Sequence, residues 1–170
     1  MSEEKHKDQQ QDEKPMSFVS MVIVTGLIGG LFWSLLGYLA HLINLTEIHP
    51  NVILEPWAAG NWKNSGPGTF IAILLIGAVS IVVALIYYAL LRRFPSIWVG
   101  ILYGIGLFCI VFFVLNPIFP GISPIKELSR DTLITSICLY VLYGVFVGYS
   151  ISYEEGEIQY REKRANDAKS

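Results

Sequence analysis

Apolar positions gather in four long blocks separated by short polar segments. Residues 17–43 read SFVSMVIVTGLIGGLFWSLLGYLAHLI, 69–91 TFIAILLIGAVSIVVALIYYALL, 97–119 IWVGILYGIGLFCIVFFVLNPIF and 132–153 TLITSICLYVLYGVFVGYSISY, and none holds Asp, Glu, Lys or Arg. A hydrocarbon core of about 30 Å is crossed by about 20 helical residues rising 1.5 Å each. Each block supplies that length, and uncharged runs of this size are too long for a buried strand. The pattern predicts an all-α protein, a four-helix transmembrane bundle with antiparallel neighbours. Lipid bilayer is then its first partner.

The ends differ in kind from the blocks. Residues 1–16, MSEEKHKDQQQDEKPM, are polar and lack aromatics, so they cannot bury enough apolar surface to offset ordering entropy. They are expected to be a disordered tail, and residues 154–170 a charged tail that is helical at most at its start. Acidic residues among the lysines before the first block, its long apolar core and the lack of a small-residue cleavage site argue for an uncleaved span.

Counting basic residues sets the expected orientation. Lys5, Lys7, Lys14, Arg92, Arg93, Arg161, Lys163, Arg164 and Lys169 fall on one side, against Lys63, Lys126 and Arg130 on the other. Both tails and the RRFPS turn are therefore expected to be cytoplasmic. Phe18, Tyr87, Tyr88, Trp98 and Tyr153 would mark the inner boundary, and Trp57, Trp62 and Phe119 the outer one. The short turn at 92–96 makes spans two and three antiparallel neighbours. In the third connector, Pro117 must end or kink span three. Ser123-Pro124 predicts a short surface helix to Leu128, and Asp131 is the expected cap of span four. The matches LYGI (102–105) and LYGV (142–145) are too brief to define a repeat.

Composition narrows the function classes. The chain is 53% hydrophobic and 15% charged, against about 25% charged in ordinary soluble domains. A formal charge of −2 gives no footprint for nucleic acid. Cys109 and Cys138 lie in apolar runs without CxxC or zinc spacing and are expected to be buried small hydrophobes. No GxSxG, P-loop or GxGxxG occurs, and no ionisable residue sits mid-span, where pumps and proton-coupled transporters usually need one. Asn116, the strongest polar group in a span, lies near its outer end. NLT at 44–46 fits a glycosylation sequon but abuts the membrane.

Two constellations remain. Small residues recur at helical spacing: Gly26, Gly30, Ser34 and Gly37 in span one, Gly77 with Ser80 and Ala84 in span two, Gly100 and Gly104 in span three, Gly144 and Gly148 in span four. Membrane helices associate by close backbone approach, so these are helix-packing positions in a tight bundle, a dimer interface or both. His41 shares that face of span one and is expected to point into the bundle near the outer surface. There begins NLTEIHPNVILEPWAAGNWKNSGPG (44–68), where Glu47, His49, Glu55, Trp57, Trp62 and Lys63 join His41 as a candidate outer-surface binding patch. Two histidines and two carboxylates suit zinc, iron or manganese, but the spacing matches no established motif, so neither metal nor other cofactor is expected. The competing reading is a wet connector seated by its tryptophans, with ILEPWAAGNW lying flat at the headgroups.

With the four spans, the EPWAAGNWKNSGPG connector and the RRFPS turn, the chain resembles the YqhR family of conserved bacterial membrane proteins over all but the polar N-terminal tail. The resemblance implies a multi-pass protein of the cytoplasmic membrane in Gram-positive, spore-forming bacteria. It brings no catalytic residue or cofactor with it. The leading expectation is a non-enzymatic membrane component that binds a membrane protein partner, or a second copy of itself, through helix faces or the outer loop. A small transporter or channel component, and an outer-surface enzyme or metal site, are the alternatives.

Overall fold

The computed structural model describes residues 18–167, apart from residues 59, 95, 120 and 121. The tail at 1–16 lies outside them. Four helices account for the apolar blocks: α1 (Phe18–Leu42), α2 (Gly66–Leu91), α3 (Ile97–Cys109) and α4 (Arg130–Asp167). All are long and apolar enough to cross a membrane once α3 is followed through its continuation to Leu115. The chain is an all-α, four-helix transmembrane bundle. Its two ends are named here by content: the loop end carries the 43–65 and 116–129 connectors, the terminal end carries Phe18 and the 92–96 turn.

Helix limits follow local chemistry. α1 stops at a Schellman-type cap, in which Leu45 N–H donates to Ala40 O and Asn44 N–H to His41 O. Asn44 takes φ 60° there, the left-handed conformation that asparagine tolerates better than most residues. α2 begins at Gly66, three residues before the expected start, with Pro67 in its first turn, where a missing N–H costs nothing. α3 relaxes before Pro117 into a wide π turn, Ile110–Leu115, and then a 3-10 turn, Asn116–Ile118. Proline carries no N–H to continue a regular helix, and the backbone loosens into these turns where the chain reaches it.

Three expectations need correction. Residues 124–128 form a turn closed by Glu127 N–H on Pro124 O at 2.8 Å, not a helix. The cap of α4 is Ser129, whose Oγ accepts Thr132 N–H at 3.3 Å, while Asp131 sits in the first turn, where its charge suits the helix dipole. And α4 does not end near 153. Its 38 residues span about 57 Å at 1.5 Å each, so the charged segment from Glu154 to Asp167 continues the helix beyond a bilayer's thickness.

The helices pack as two hairpins, α1 with α2 and α3 with α4, joined along α1 and α4. Each hairpin closes on glycine. A Cβ added to Gly26 would stand 2.8 Å from Ala84 Cβ, and one on Gly30 2.9 Å from Gly77 Cα. In the other hairpin, a Cβ on Gly144 would stand 2.6 Å from Gly104 N, and one on Gly100 2.9 Å from Val145 Cα. Such contacts bring backbones into dispersion range that a larger residue would prevent.

The paired LYG matches acquire a meaning in this packing. Gly104 and Gly144 meet, and the tyrosine before each one reaches across to α2. Tyr103 OH donates to Val83 O at 2.7 Å, and Tyr143 OH to Ser80 O at 3.3 Å. α2 and α3, though joined by the short 92–96 turn, thus meet mainly through side chains, including Tyr87 and Tyr103 with ring centroids 5.0 Å apart. Tyr87 is fully buried with Val22, Ala84, Tyr143, Val147 and Ile151, so it is a core residue rather than a boundary marker. Cys109 and Cys138 are exposed on the bundle's outer face, not buried within it.

Candidate functional site

The loop end is where polar side chains converge. After the cap at Asn44, the chain turns back over α1. His41 Nδ1–H donates to Thr46 O at 3.0 Å, and Thr46 Oγ1 accepts Ile48 N–H at 3.2 Å. Glu47 N–H donates to Thr132 Oγ1 at 2.9 Å, which fastens the connector to the start of α4. Thr132 is itself completely buried and bonded to Ser129 Oγ.

His49 then closes on His41. The two rings lie 4.8 Å apart, edge to face, and the Tyr38 ring, one turn before His41, stands 5.4 Å from His49. His49 Nδ1 accepts Asn51 N–H at 3.1 Å and so caps the 3-10 turn Pro50–Leu54. That bond requires the neutral ring, with its proton on Nε2. Burial lowers the His49 pKa, the neighbouring His41 lowers it further, and the Asn51 side chain pulls partly the other way. Its ordinary value is 6.5, so the neutral, capping form is favoured near neutrality.

Asn51 carries the lock onward. Its side chain is buried, its Nδ2 donates to Lys63 O, and its Oδ1 has no hydrogen-bond partner. Lys63 lies in the 3-10 turn Asn61–Asn64, and its backbone presses against Gly68 so closely that a Cβ there would fall 2.7 Å from Lys63 Cα. Only glycine admits this approach. Beneath the polar chain, Ile48 and Val52 pack on a second core of Phe108, Phe112, Ile122 and Leu128, shared with the other connector. Within ILEPWAAGNW, Leu54 is buried and Ile53 half-buried. Trp57 is left 83% exposed and Trp62 46%.

The predicted patch is thus divided. His41 and His49 come together, with Lys63 tied in through its backbone. Glu47 is used through its N–H while its side chain stays exposed, and Glu55 is half-buried. Among the described residues no three His, Cys, Asp or Glu side chains form a metal-holding group. His41 is half-buried and bonds to the connector that the Asn44 cap turns back over it. Of the small residues, Gly26, Gly30, Gly77, Gly100, Gly104 and Gly144 lie in the hairpin seams. Gly148 faces the Tyr87 hydroxyl, whose oxygen would stand 2.9 Å from a Cβ there. Ser34 bonds back to Leu31 O at 3.0 Å. Gly37 meets open space.

Residues that pattern reading missed are Thr46, Asn51 and Thr132, together with Tyr38. The signal that could have found Asn51 is the HPN tripeptide: a cap residue before proline at the first position of a turn.

A family model described as "Conserved membrane protein YqhR" matches residues 2–166, which takes in the polar N-terminal tail as well. An "Uncharacterized protein YqhR" of Bacillus subtilis (strain 168) is 49% identical over 159 residues, covering 89% of each chain. No solved structure matches.

Proposed function

The chain belongs to the YqhR family of conserved membrane proteins, and from that premise we propose that it is a non-enzymatic membrane component whose loop end docks a partner membrane protein. One observation carries this reading: the connector is tied to α1 and α4 at Thr46 and Glu47 and to itself through Asn51 and Lys63, while Trp57 stays 83% exposed. A preordered aromatic anchor on a rigid base is what an interface hot spot requires, since little side-chain and loop entropy is lost on binding. The glycine seams fix the base, because helices that touch at backbone distance have little freedom to shear.

We place the protein in the cytoplasmic membrane with both termini inside, on the excess of Lys and Arg in the tails and the 92–96 turn. The docking surface then faces outward. Reporter fusions at residue 94 and at residue 58 test this: an enzyme active only outside the membrane should work at 58 and not at 94, and the reverse pattern would overturn the placement.

The docking itself is tested by a photo-crosslinking amino acid at position 57 in the native host. The expected product is an adduct of discrete mass with one membrane protein, lost when the probe is moved to 110 on the lipid face. Adducts to lipid alone, equal at both positions, would show the tryptophan to be a headgroup anchor and would overturn the proposal.

A further inference from the structure

At the loop end, one polar arrangement is complete only while His49 is neutral, and one of its atoms is left idle. His49 is half-buried between α1 and the turn that it caps, with the His41 ring 4.8 Å away. Its Nδ1 has a single lone pair, and Asn51 N–H occupies it at 3.1 Å. Asn51 is 5% exposed, and its Oδ1 is a buried acceptor with no hydrogen-bond partner. An acceptor left empty in the interior is costly. It has a use if the cap has a second state.

Protonation supplies that state. A charged His49 carries hydrogen on both ring nitrogens and accepts at neither, so Asn51 N–H loses its acceptor and Nδ1–H needs one. The Asn51 side chain stands where it favours the charged ring, and His41 opposes that charge. The elements packed round the Pro50–Leu54 turn bring Tyr38 and His41 from α1 and Lys63 from the 61–64 turn, while residues 66–76 of α2 hold no ionisable group. On the connector itself Glu47 is exposed and Glu55 half-buried. Lys126 and Glu127 on the other connector, and Arg130 and Asp131 opening α4, are exposed as well. Asn51 is also the tie to Lys63 O, so a change at His49 reaches the 61–64 turn, and Trp57 lies between the two ties.

We propose that His49 and Asn51 form an acid-operated latch on the connector. Near neutrality His49 caps the turn and the connector is shut. On protonation the ring changes from acceptor to donor, gives Nδ1–H to Asn51 Oδ1, and frees the segments on either side of Trp57. The use of the latch rests on the docking reading: a freed base is no longer preordered, so the partner is held near neutral pH and let go in acid.

The test is amide hydrogen exchange on the full chain in lipid nanodiscs across mildly acidic pH, with each rate compared with that of free peptide at the same pH. Release takes up one proton, so protection at Asn51, Val52 and Ser65 should fall by about tenfold per pH unit below 6.5, until the latched ring is itself charged, while the helices keep theirs. His49→Asn keeps a capping oxygen and cannot charge, so it should hold protection constant; His49→Ser serves if that variant does not fold. Protection that is the same in acid as at neutrality, or an acid loss that the variant retains, overturns the latch. Crosslinking from position 57 separates the two readings. Adducts that persist in acid while protection falls overturn the gating, and adducts absent at every pH overturn the docking and leave the latch standing.

Discussion

Adding one methyl group at Gly104 and one at Gly37 should move stability in different directions. Both are helix-interior glycines, so alanine gains up to about 1 kcal/mol of helix propensity at either. At Gly37 nothing lies within 4 Å of the new Cβ, and that gain stands alone. At Gly104 the Cβ would lie 2.7 Å from Val141 Cα, where ordinary contact begins at 3.4 Å. Tyr140 O lies closer still, so the α3 and α4 backbones must part by at least about 0.7 Å, and strain of this kind in a packed interior costs about 1–3 kcal/mol. Because propensity cancels between the two variants, their difference isolates the seam: Gly104→Ala should be about 1–3 kcal/mol less stable than Gly37→Ala. The assay is reversible unfolding by SDS titration in mild detergent, followed by tryptophan fluorescence. Equal stabilities, or Gly104→Ala the more stable, would refute the claim that glycine contact holds the hairpin.

Three further outcomes are expected in the same assay. Tyr103→Phe and Tyr143→Phe should each cost about 0.6 kcal/mol and at most about 1.7, the range for hydrogen bonds between membrane helices, with Tyr103→Phe the larger because its bond is shorter at 2.7 Å against 3.3 Å; no loss in either would show the hydroxyls idle. Asn51→Leu leaves Lys63 O without its side-chain donor and should cost about 1–3 kcal/mol. For His49, the lowered pKa means that the unfolded chain binds more protons, so stability rises with pH. Its contribution is whole above the ordinary value of 6.5 and is lost as pH falls below it through the lowered folded-state value. His49→Asn keeps a capping oxygen for Asn51 N–H and should flatten that pH dependence; an unchanged slope would assign it elsewhere.

The bundle was legible in the sequence because length and the absence of charge decide membrane spans almost alone. The small-residue spacing likewise named the residues that line the seams, but it could not separate Gly37 from Gly104, since which glycine meets a partner depends on where the neighbouring helix lies. The two LYG matches illustrate the same limit. As a repeat they are negligible, yet antiparallel packing places Gly104 on Gly144 and sends both tyrosines to α2, a relation that exists only in three dimensions. The loop-end patch was half visible. His41 and His49 are eight residues apart, and only the left-handed turn at Asn44 brings their rings to 4.8 Å. Trp57 and Leu54 both lie in ILEPWAAGNW, which reads as an interfacial stretch, yet one is left exposed and the other is buried, a difference that only the folded connector decides. The helix at 124–128 failed because Pro124 supplies a start signal, while only five residues remain before the Ser129 cap claims the chain for α4.

The central claim is that the 44–68 connector is a fixed cap on the bundle, and amide hydrogen exchange on the native protein in lipid nanodiscs tests it most directly. The bonded amides of Leu45, Glu47, Ile48, Asn51, Val52 and Ser65 should exchange far more slowly than free peptide, and Asn51→Leu should release those of residues 61–65. Exchange across 44–65 at the rate of an unstructured loop, with the helices still protected, would contradict the account.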